Sequence, residues 1–138
     1  MRWFEREFAA YERSRKADTG KSSLEQLNEI AEQYQPEVKA LCSFHICPGR
    51  DPLSGIHTPK AFFYGLDFAK TKGHMVRACM EGVAFSLRHN LEVAEAAGAK
   101  AEVLRAMGGS ANSLLWTQIK ADVTGKAVVS LLPIQQPH

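Results

Sequence analysis

The sequence predicts an α/β domain built around one long helix and a parallel strand–helix–strand unit. An apolar stripe of helical period runs through residues 74–97. Two short apolar segments at 102–107 and 127–132 are typical of strands, and a helix is predicted between them, from residue 110 or 111 to 124. Two strands joined by such a crossover form a βαβ unit, in which the strands run parallel and the connection is right-handed.

Length and composition favour one globular domain over residues 1–138. Apolar residues make up 45% of the chain, charged residues 23%, and the formal net charge is +2. These values are ordinary for globular proteins and argue against a nucleic-acid or membrane surface. No apolar run approaches the roughly 20 residues that span a bilayer. Three cysteines and an N-terminus without a secretory signal predict a reducing, cytoplasmic compartment.

The first third of the chain predicts two helices. An N-terminal helix is expected within residues 1–20, because aromatic residues recur there at helical spacing: Trp3, Phe4, Phe8 and Tyr11. A second helix is expected over residues 23–34, where apolar side chains repeat every three to four positions. Pro36 would end it, because proline cannot continue a helix.

A strand and a long loop are predicted between these helices and the long helix. The strand covers residues 40–46, and the loop, rich in glycine and proline with room for short strands, runs over 47–71. The apolar stripe of helix 74–97 consists of Val76, Cys79, Met80, Val83, Leu87, Leu91 and Ala94. Gly98 suits its C-terminal cap, and the tail 133–138 is expected to be disordered.

Two motif-like patterns have simpler explanations. Gly20-Lys21-Ser22 ends like a P-loop, but the glycine required five positions earlier is Arg15. A polar turn between helices explains the segment better. A second group matches no zinc-ligand spacing, so no metal site is predicted: Cys42, His45, Cys47, His57 and His74.

Gly108-Gly109 joins a predicted parallel strand to a predicted helix. Ligands of parallel α/β sheets bind beyond the carboxyl ends of strands, and glycines let a flat or anionic group approach the backbone. An ordinary tight turn with a serine or asparagine cap fits the position equally well.

Two motifs in this half of the chain resemble those of the FGGY carbohydrate kinases. Residues 74–85 contain Arg-Ala-Cys-Met-Glu-Gly-Val-Ala-Phe, similar to the family pattern Arg-Ala-x-x-Glu-Gly-x-Ala-Phe. Residues 107–125 resemble the family's adenosine motif, a double glycine and a serine followed by Leu-Trp-x-Gln-x-x-Ala-Asp-x-x-Gly. The match covers roughly residues 24–131 and is most similar to xylulose- and other ketopentose-type members.

The resemblance implies an actin-like, ribonuclease-H-like fold, of which this chain is part of the C-terminal, nucleotide-binding domain. It implies an enzyme that moves the γ-phosphoryl group of ATP to a sugar hydroxyl, with Mg²⁺ on the phosphates in the complete protein. Gly108 and Gly109 would lie against the adenosine and α-phosphate of ATP or ADP, and Ser113 would contact the adenine. Asn112 is an adjacent candidate, whereas Trp116 and its helix neighbours would serve packing and capping.

The departures from the family pattern matter as much. In the family, the sugar site, the phosphate loops and the catalytic aspartate lie N-terminal to the region that this chain resembles. The family's Gly-Glu-Arg-x-Pro turn is replaced by residues 48–52, Pro-Gly-Arg-Asp-Pro, so no catalytic residue is assigned. The chain alone is therefore expected to be inactive. The alternatives are a non-catalytic interaction or regulatory module, self-associating through an uncovered apolar face, and an inactive fragment of such a kinase.

Overall fold

The computed structural model describes residues 1–34, 43–50 and 57–130, with side chains described outside 43–50, 57–61 and Ser110. The chain divides into two compact units, Met1–Val83 and Ala84–His138. The single-domain assignment to residues 1–138 stays a prediction, and the predicted disordered tail lies outside the described residues.

The N-terminal segment is three short helices, so the prediction of one helix within residues 1–20 is wrong. They are α1 (Arg2–Phe8), α2 (Ala10–Ser14) and α3 (Lys16–Thr19). The backbone leaves helical geometry at Ala9 (φ −106°, ψ 32°) and again at Arg15 (φ −85°, ψ 2°). These breaks let Phe4, Ala9 and Glu12 all be buried, whereas much of the predicted aromatic face is exposed. Aromatic spacing alone therefore identified the wrong face.

Helix α4 (Ser23–Glu32) confirms the second predicted helix and starts with a capping box. The Ser22 hydroxyl accepts a hydrogen bond from the Glu25 N–H at 3.3 Å, and the Glu25 carboxylate accepts one from the Ser22 N–H at 2.7 Å. Such reciprocal bonds satisfy two N–H groups that a helix start otherwise leaves unpaired. Leu27 and Ala31 are fully buried on its inner face.

Strands β1 (Ser43–Arg50) and β2 (His57–Tyr64) form an antiparallel hairpin. The predicted strand therefore extends to Arg50, and β2 lies within the predicted loop. Pro48 and Pro59 are paired in register, so the two residues that lack an N–H donor share one position in the ladder. The prolines of residues 47–71 favoured a loop, although residues 47–50 and 57–64 are strand.

Helix α5 (Lys72–Ala96) confirms the predicted long helix. Its first half is the most buried part of the structure, with Val76, Cys79 and Met80 almost inaccessible, while its second half is largely exposed. Two ion pairs at i,i+4 spacing stabilise the helix, Arg77–Glu81 at 2.7 Å and Arg88–Glu92 at 2.8 Å. Gly98 has the positive φ of +97° expected just beyond a helix end.

The start of α5 is packed tightly against Tyr34. A Cβ atom on Gly73 would lie 2.0 Å from the Tyr34 ring, so no larger residue fits without a shift. The Thr71 hydroxyl donates a hydrogen bond to the Tyr34 hydroxyl at 2.8 Å, and the His74 ring lies 4.2 Å from the Tyr34 ring between centroids. Tertiary contact therefore fixes where this helix begins.

The second unit contains the predicted βαβ unit. Strands β3 (Val103–Ala106) and β4 (Ala127–Ser130) are parallel, in register from Val103↔Ala127 to Ala106↔Ser130. The crossover helix α6 (Leu114–Thr124) ends at Gly125, which has φ +66°. This arrangement confirms the α/β class and the parallel pair.

Candidate functional site

The predicted nucleotide turn follows the carboxyl end of β3. Gly108 has φ +76° and ψ −164°, a combination essentially restricted to glycine. A 3₁₀ turn then spans Gly109–Asn112, and the Ala111 N–H donates to the Gly108 carbonyl at 2.9 Å. Four residues predicted to bind the nucleotide lie in this one turn: Gly108, Gly109, Asn112 and Ser113.

Helix α6 begins at Leu114, so the prediction of a start at residue 110 or 111 is wrong. Ser113 has an extended backbone (φ −101°, ψ 110°) and therefore cannot belong to the helix. The 3₁₀ turn separates the glycine pair from the α-helix N-terminus. The partial positive charge of that terminus consequently lies at residues 113–114 and not directly at Gly108 and Gly109.

Gly109 has no structural requirement for glycine. Its φ lies outside the range of positive values that disfavours L side chains, and no heavy atom lies within 4 Å of a Cβ built on it. Gly108 has equal space around it, but its positive φ explains its identity. The missing side chain at Gly109 therefore leaves open backbone surface at the edge where parallel sheets bind ligands.

Ser113 and Asn112 have different environments. Ser113 is buried, and its hydroxyl accepts a hydrogen bond from the Trp116 N–H at 3.2 Å, which makes it the N-cap of α6. Asn112 is exposed. A serine directly before an apolar helical run was the signal for this cap. The hydroxyl of Ser113 therefore already has a structural role, and any contact with a base would have to be made in addition to the cap.

The other motif residues of α6 contact neighbours on the same helix, and Gln118 and Asp122 do so on its exposed side. The Gln118 amide donates to the Asp122 carboxylate at 2.7 Å, one turn later on the helix. The Lys120 ammonium lies 5.3 Å from the centroid of the Trp116 ring, and burial lowers the pKa of Lys120.

The Gly20-Lys21-Ser22 segment is the turn between helices that the sequence indicated. Gly20 ends α3 with φ +67°, Ser22 caps α4, and Lys21 forms an ion pair with Glu29. Each residue is thus accounted for by the fold. Within residues 1–34, 43–50 and 57–130, no cluster of three or more His, Cys, Asp or Glu side chains could hold a metal ion.

A groove of about 310 Å³ lies in the second unit, away from the glycine turn. Its walls come from the second half of α5 and the end of α6. The charged side chains there pair with each other, Arg88 with Glu92 at 2.8 Å and Lys126 with Glu95 at 2.6 Å. Four of the five charged side chains that line the groove are therefore paired, and the fifth, Asp122, accepts a hydrogen bond from the Gln118 amide.

Comparison with known proteins identifies relatives across the chain. The sequence profile of the FGGY family of carbohydrate kinases, C-terminal domain, matches residues 1–136. A gluconokinase of Bacillus licheniformis is 34% identical over 132 residues, which cover 94% of this chain and 25% of that protein. A xylulose kinase of Bacillus subtilis is 29% identical over 135 residues, covering 98% of this chain and 25% of that protein.

The fold is also found in solved structures. The crystal structure of xylulose kinase from Rhodospirillum rubrum matches with a TM-score of 0.67 and 25% identity, over 89% of this chain and 24% of that one. The chain therefore spans about a quarter of the length of the relatives it matches. Among the described residues, no helix is both long and apolar enough to cross a membrane.

Proposed function

Because the chain belongs to the FGGY family of carbohydrate kinases and corresponds to its C-terminal domain, we propose that it supplies the adenosine side of the cleft in an ATP-dependent sugar kinase. The complete enzyme would transfer the γ-phosphoryl group of ATP to a sugar hydroxyl. Gly108, Gly109, Asn112 and Ser113 would line the nucleotide site.

The open backbone at Gly109 is the observation that carries this proposal. Neither backbone strain nor packing among residues 1–34, 43–50 and 57–130 requires glycine there. Its position beyond the carboxyl end of a parallel strand is where α/β folds bind their ligands. A glycine that folding does not need, at the edge where a ligand is expected, is best explained by close approach of that ligand.

This chain would contribute binding rather than chemistry. Phosphoryl transfer needs an oriented hydroxyl, a base and compensation of the phosphate charge, and Mg²⁺ supplies much of that compensation when it is bound. The turn at 107–114 contains no carboxylate, so it would position the nucleoside and not the metal. We therefore expect no kinase activity from the chain by itself.

The sugar remains open. Relatives that cover most of this chain at similar identity are named gluconokinase and xylulose kinase, so similarity over this domain does not select between substrates. A cytoplasmic location likewise remains a prediction.

Calorimetric titration of the purified chain with ADP and adenosine, with and without Mg²⁺, tests the proposal. We compare the unaltered chain with Gly109→Arg, whose side chain would fill the open surface. Ala99→Arg is the matched control, because Ala99 is exposed in the same unit and precedes the amino end of β3. Binding of both ligands, abolished by Gly109→Arg and retained by Ala99→Arg, is expected. A folded chain that binds neither ligand, or equal binding by both variants, would overturn the assignment.

A face of the β3–β4 pair that no described residue covers favours a second candidate function, an interaction module. Val103 and Arg105 on β3 and Ala127 and Val129 on β4 share this face by register, and all four are exposed. Parallel sheets are normally covered on both faces. We therefore also propose self-association through this face in the chain when it is alone.

The face is small. A stable interface buries roughly 800 Å² per partner, more than two four-residue strands present, so monomer should remain in equilibrium with the associated species across the micromolar range. Light scattering across micromolar concentrations is expected to show a dimer or larger species, and Val129→Lys should reduce it. A monomeric mass throughout that range would remove this candidate.

A further inference from the structure

Two large apolar side chains border the glycine turn and are strongly exposed. Met107 directly precedes Gly108 and is 71% exposed, and Leu114 directly follows Ser113 and is 82% exposed. Exposure of single apolar residues is common and needs no explanation. Two such residues at both ends of one six-residue turn form a more specific pattern.

The buried side of the same turn is fully used by the fold. Ala111 is only 4% exposed, and the Ser113 hydroxyl caps α6. The described exposed residues of this segment are therefore Met107, Gly108, Gly109, Asn112 and Leu114. Bare glycine backbone next to apolar side chains and an amide suits a flat, apolar ring with a polar edge.

The side chains of the segment favour a base over a phosphate. Residues 107–114 contain no lysine, arginine or histidine, although side chains that bind phosphate groups are commonly cationic. The side chains of Met107 and Leu114 would instead lose contact with water when a ring packs on them. Burial of apolar surface contributes roughly 25 cal/mol of favourable free energy per Å². The turn is consequently better suited to the nucleobase end of a nucleotide than to its phosphates.

We propose that Met107 and Leu114 position the nucleobase, holding its two sides by apolar contact while the glycine backbone supports the ring. This inference rests on the proposed nucleotide site and adds residues outside the glycine pair. Because the apolar contact involves only the base, removing either side chain should lower the affinities for adenosine and for ADP by the same factor.

The test is calorimetric titration of adenosine and ADP into the unaltered chain, Met107→Ala, Leu114→Ala and the double variant. Each single variant should bind both ligands about three- to tenfold more weakly, since each removes a few apolar carbons from contact with the base. Val93→Ala is the matched control, an apolar residue 58% exposed on α5 in the same unit. Far-UV circular dichroism confirms that each variant is folded, and Leu114→Met should restore most of the affinity.

The outcomes separate this inference from the one it rests on. If the unaltered chain binds and both alanine variants bind equally well, the positioning role is wrong and the proposed site stands. A loss confined to ADP would place the side chains near the phosphates and also overturn the inference. Failure of the folded, unaltered chain to bind either ligand would remove the proposed site and this inference together.

Discussion

The helix starts of the first unit and the glycine turn of the second use special residues in opposite ways. At α4 and α5, Ser22 and Gly73 are explained by contacts within the chain: a reciprocal capping box and a ring packed on the glycine. At the turn of the second unit, Gly108 is explained by its φ, but none of the residues that the structure describes explains Gly109. A loop residue without a structural explanation among its described neighbours is the better candidate for function.

The largest expected effect is at the start of α5. Gly73→Ala would place a methyl group 2.0 Å from the Tyr34 ring. Overpacking commonly costs about 1–3 kcal/mol, and this contact belongs at the upper end, while alanine recovers about 1 kcal/mol of helix propensity. We expect a net loss of about 2 kcal/mol, measured as a lower midpoint of urea unfolding.

The double variant Gly73→Ala/Tyr34→Leu provides the control, because it removes the ring that the new methyl group meets. Its destabilisation should be smaller than the sum of the two single effects. An unchanged midpoint for Gly73→Ala would show that Tyr34 moves aside freely and that this helix start is not fixed by packing.

A smaller effect is expected at the start of α4. Ser22→Ala removes the capping hydroxyl and should destabilise the chain by about 1 kcal/mol at pH 7. Hydrogen bonds from the Ser22 side chain and backbone lower the pKa of the Glu25 carboxyl below its ordinary value of 4.5. Folding therefore favours the ionised carboxylate, and this contribution is present above about pH 4.5 and lost as the pH falls through the lowered pKa.

The pH dependence gives this prediction a second measurement. The difference in unfolding midpoint between Ser22→Ala and the unaltered chain should shrink as the pH falls from 6 toward 3. Glu25→Gln keeps an acceptor at the position but cannot ionise, so it should lose this part of the pH dependence. A difference that stays constant with pH would show that the carboxylate adds nothing to the cap.

The smallest effect on stability is expected at Gly109, where a loss of ligand binding without a loss of stability would separate function from folding. Gly109→Ala meets no atom and needs no positive φ, so folding should be unchanged or gain about 0.5 kcal/mol. If a ligand packs on the bare backbone, the same methyl group should weaken ADP binding about tenfold. Gly108→Ala is the contrasting variant, because its φ of +76° makes any side chain destabilising. Unfolding and titration are measured on both variants, and a Gly109→Ala chain that binds ADP normally would count against the nucleotide site.

Sequence reasoning succeeded where a local pattern is sufficient. The period of the apolar residues in α5, the glycines after α5 and α6 and the strand–helix–strand order were all predicted, and the family motifs lie in these same elements. It failed at boundaries that depend on backbone detail. The break at Ala9, the 3₁₀ turn before α6 and the pairing of β1 with β2 have weak local signals, since similar residues are compatible with more than one backbone path.

Periodicity and motif spacing are properties of the chain alone, and they are sufficient for the α/β class, the family and the segment in which a nucleotide site should be sought. Only the tertiary structure distinguished Gly73 from Gly109. The two glycines are chemically identical, and what separates them is whether another part of the chain occupies the space that a side chain would need. That space is set by residues distant in sequence, such as Tyr34, and so it exists only in the folded molecule.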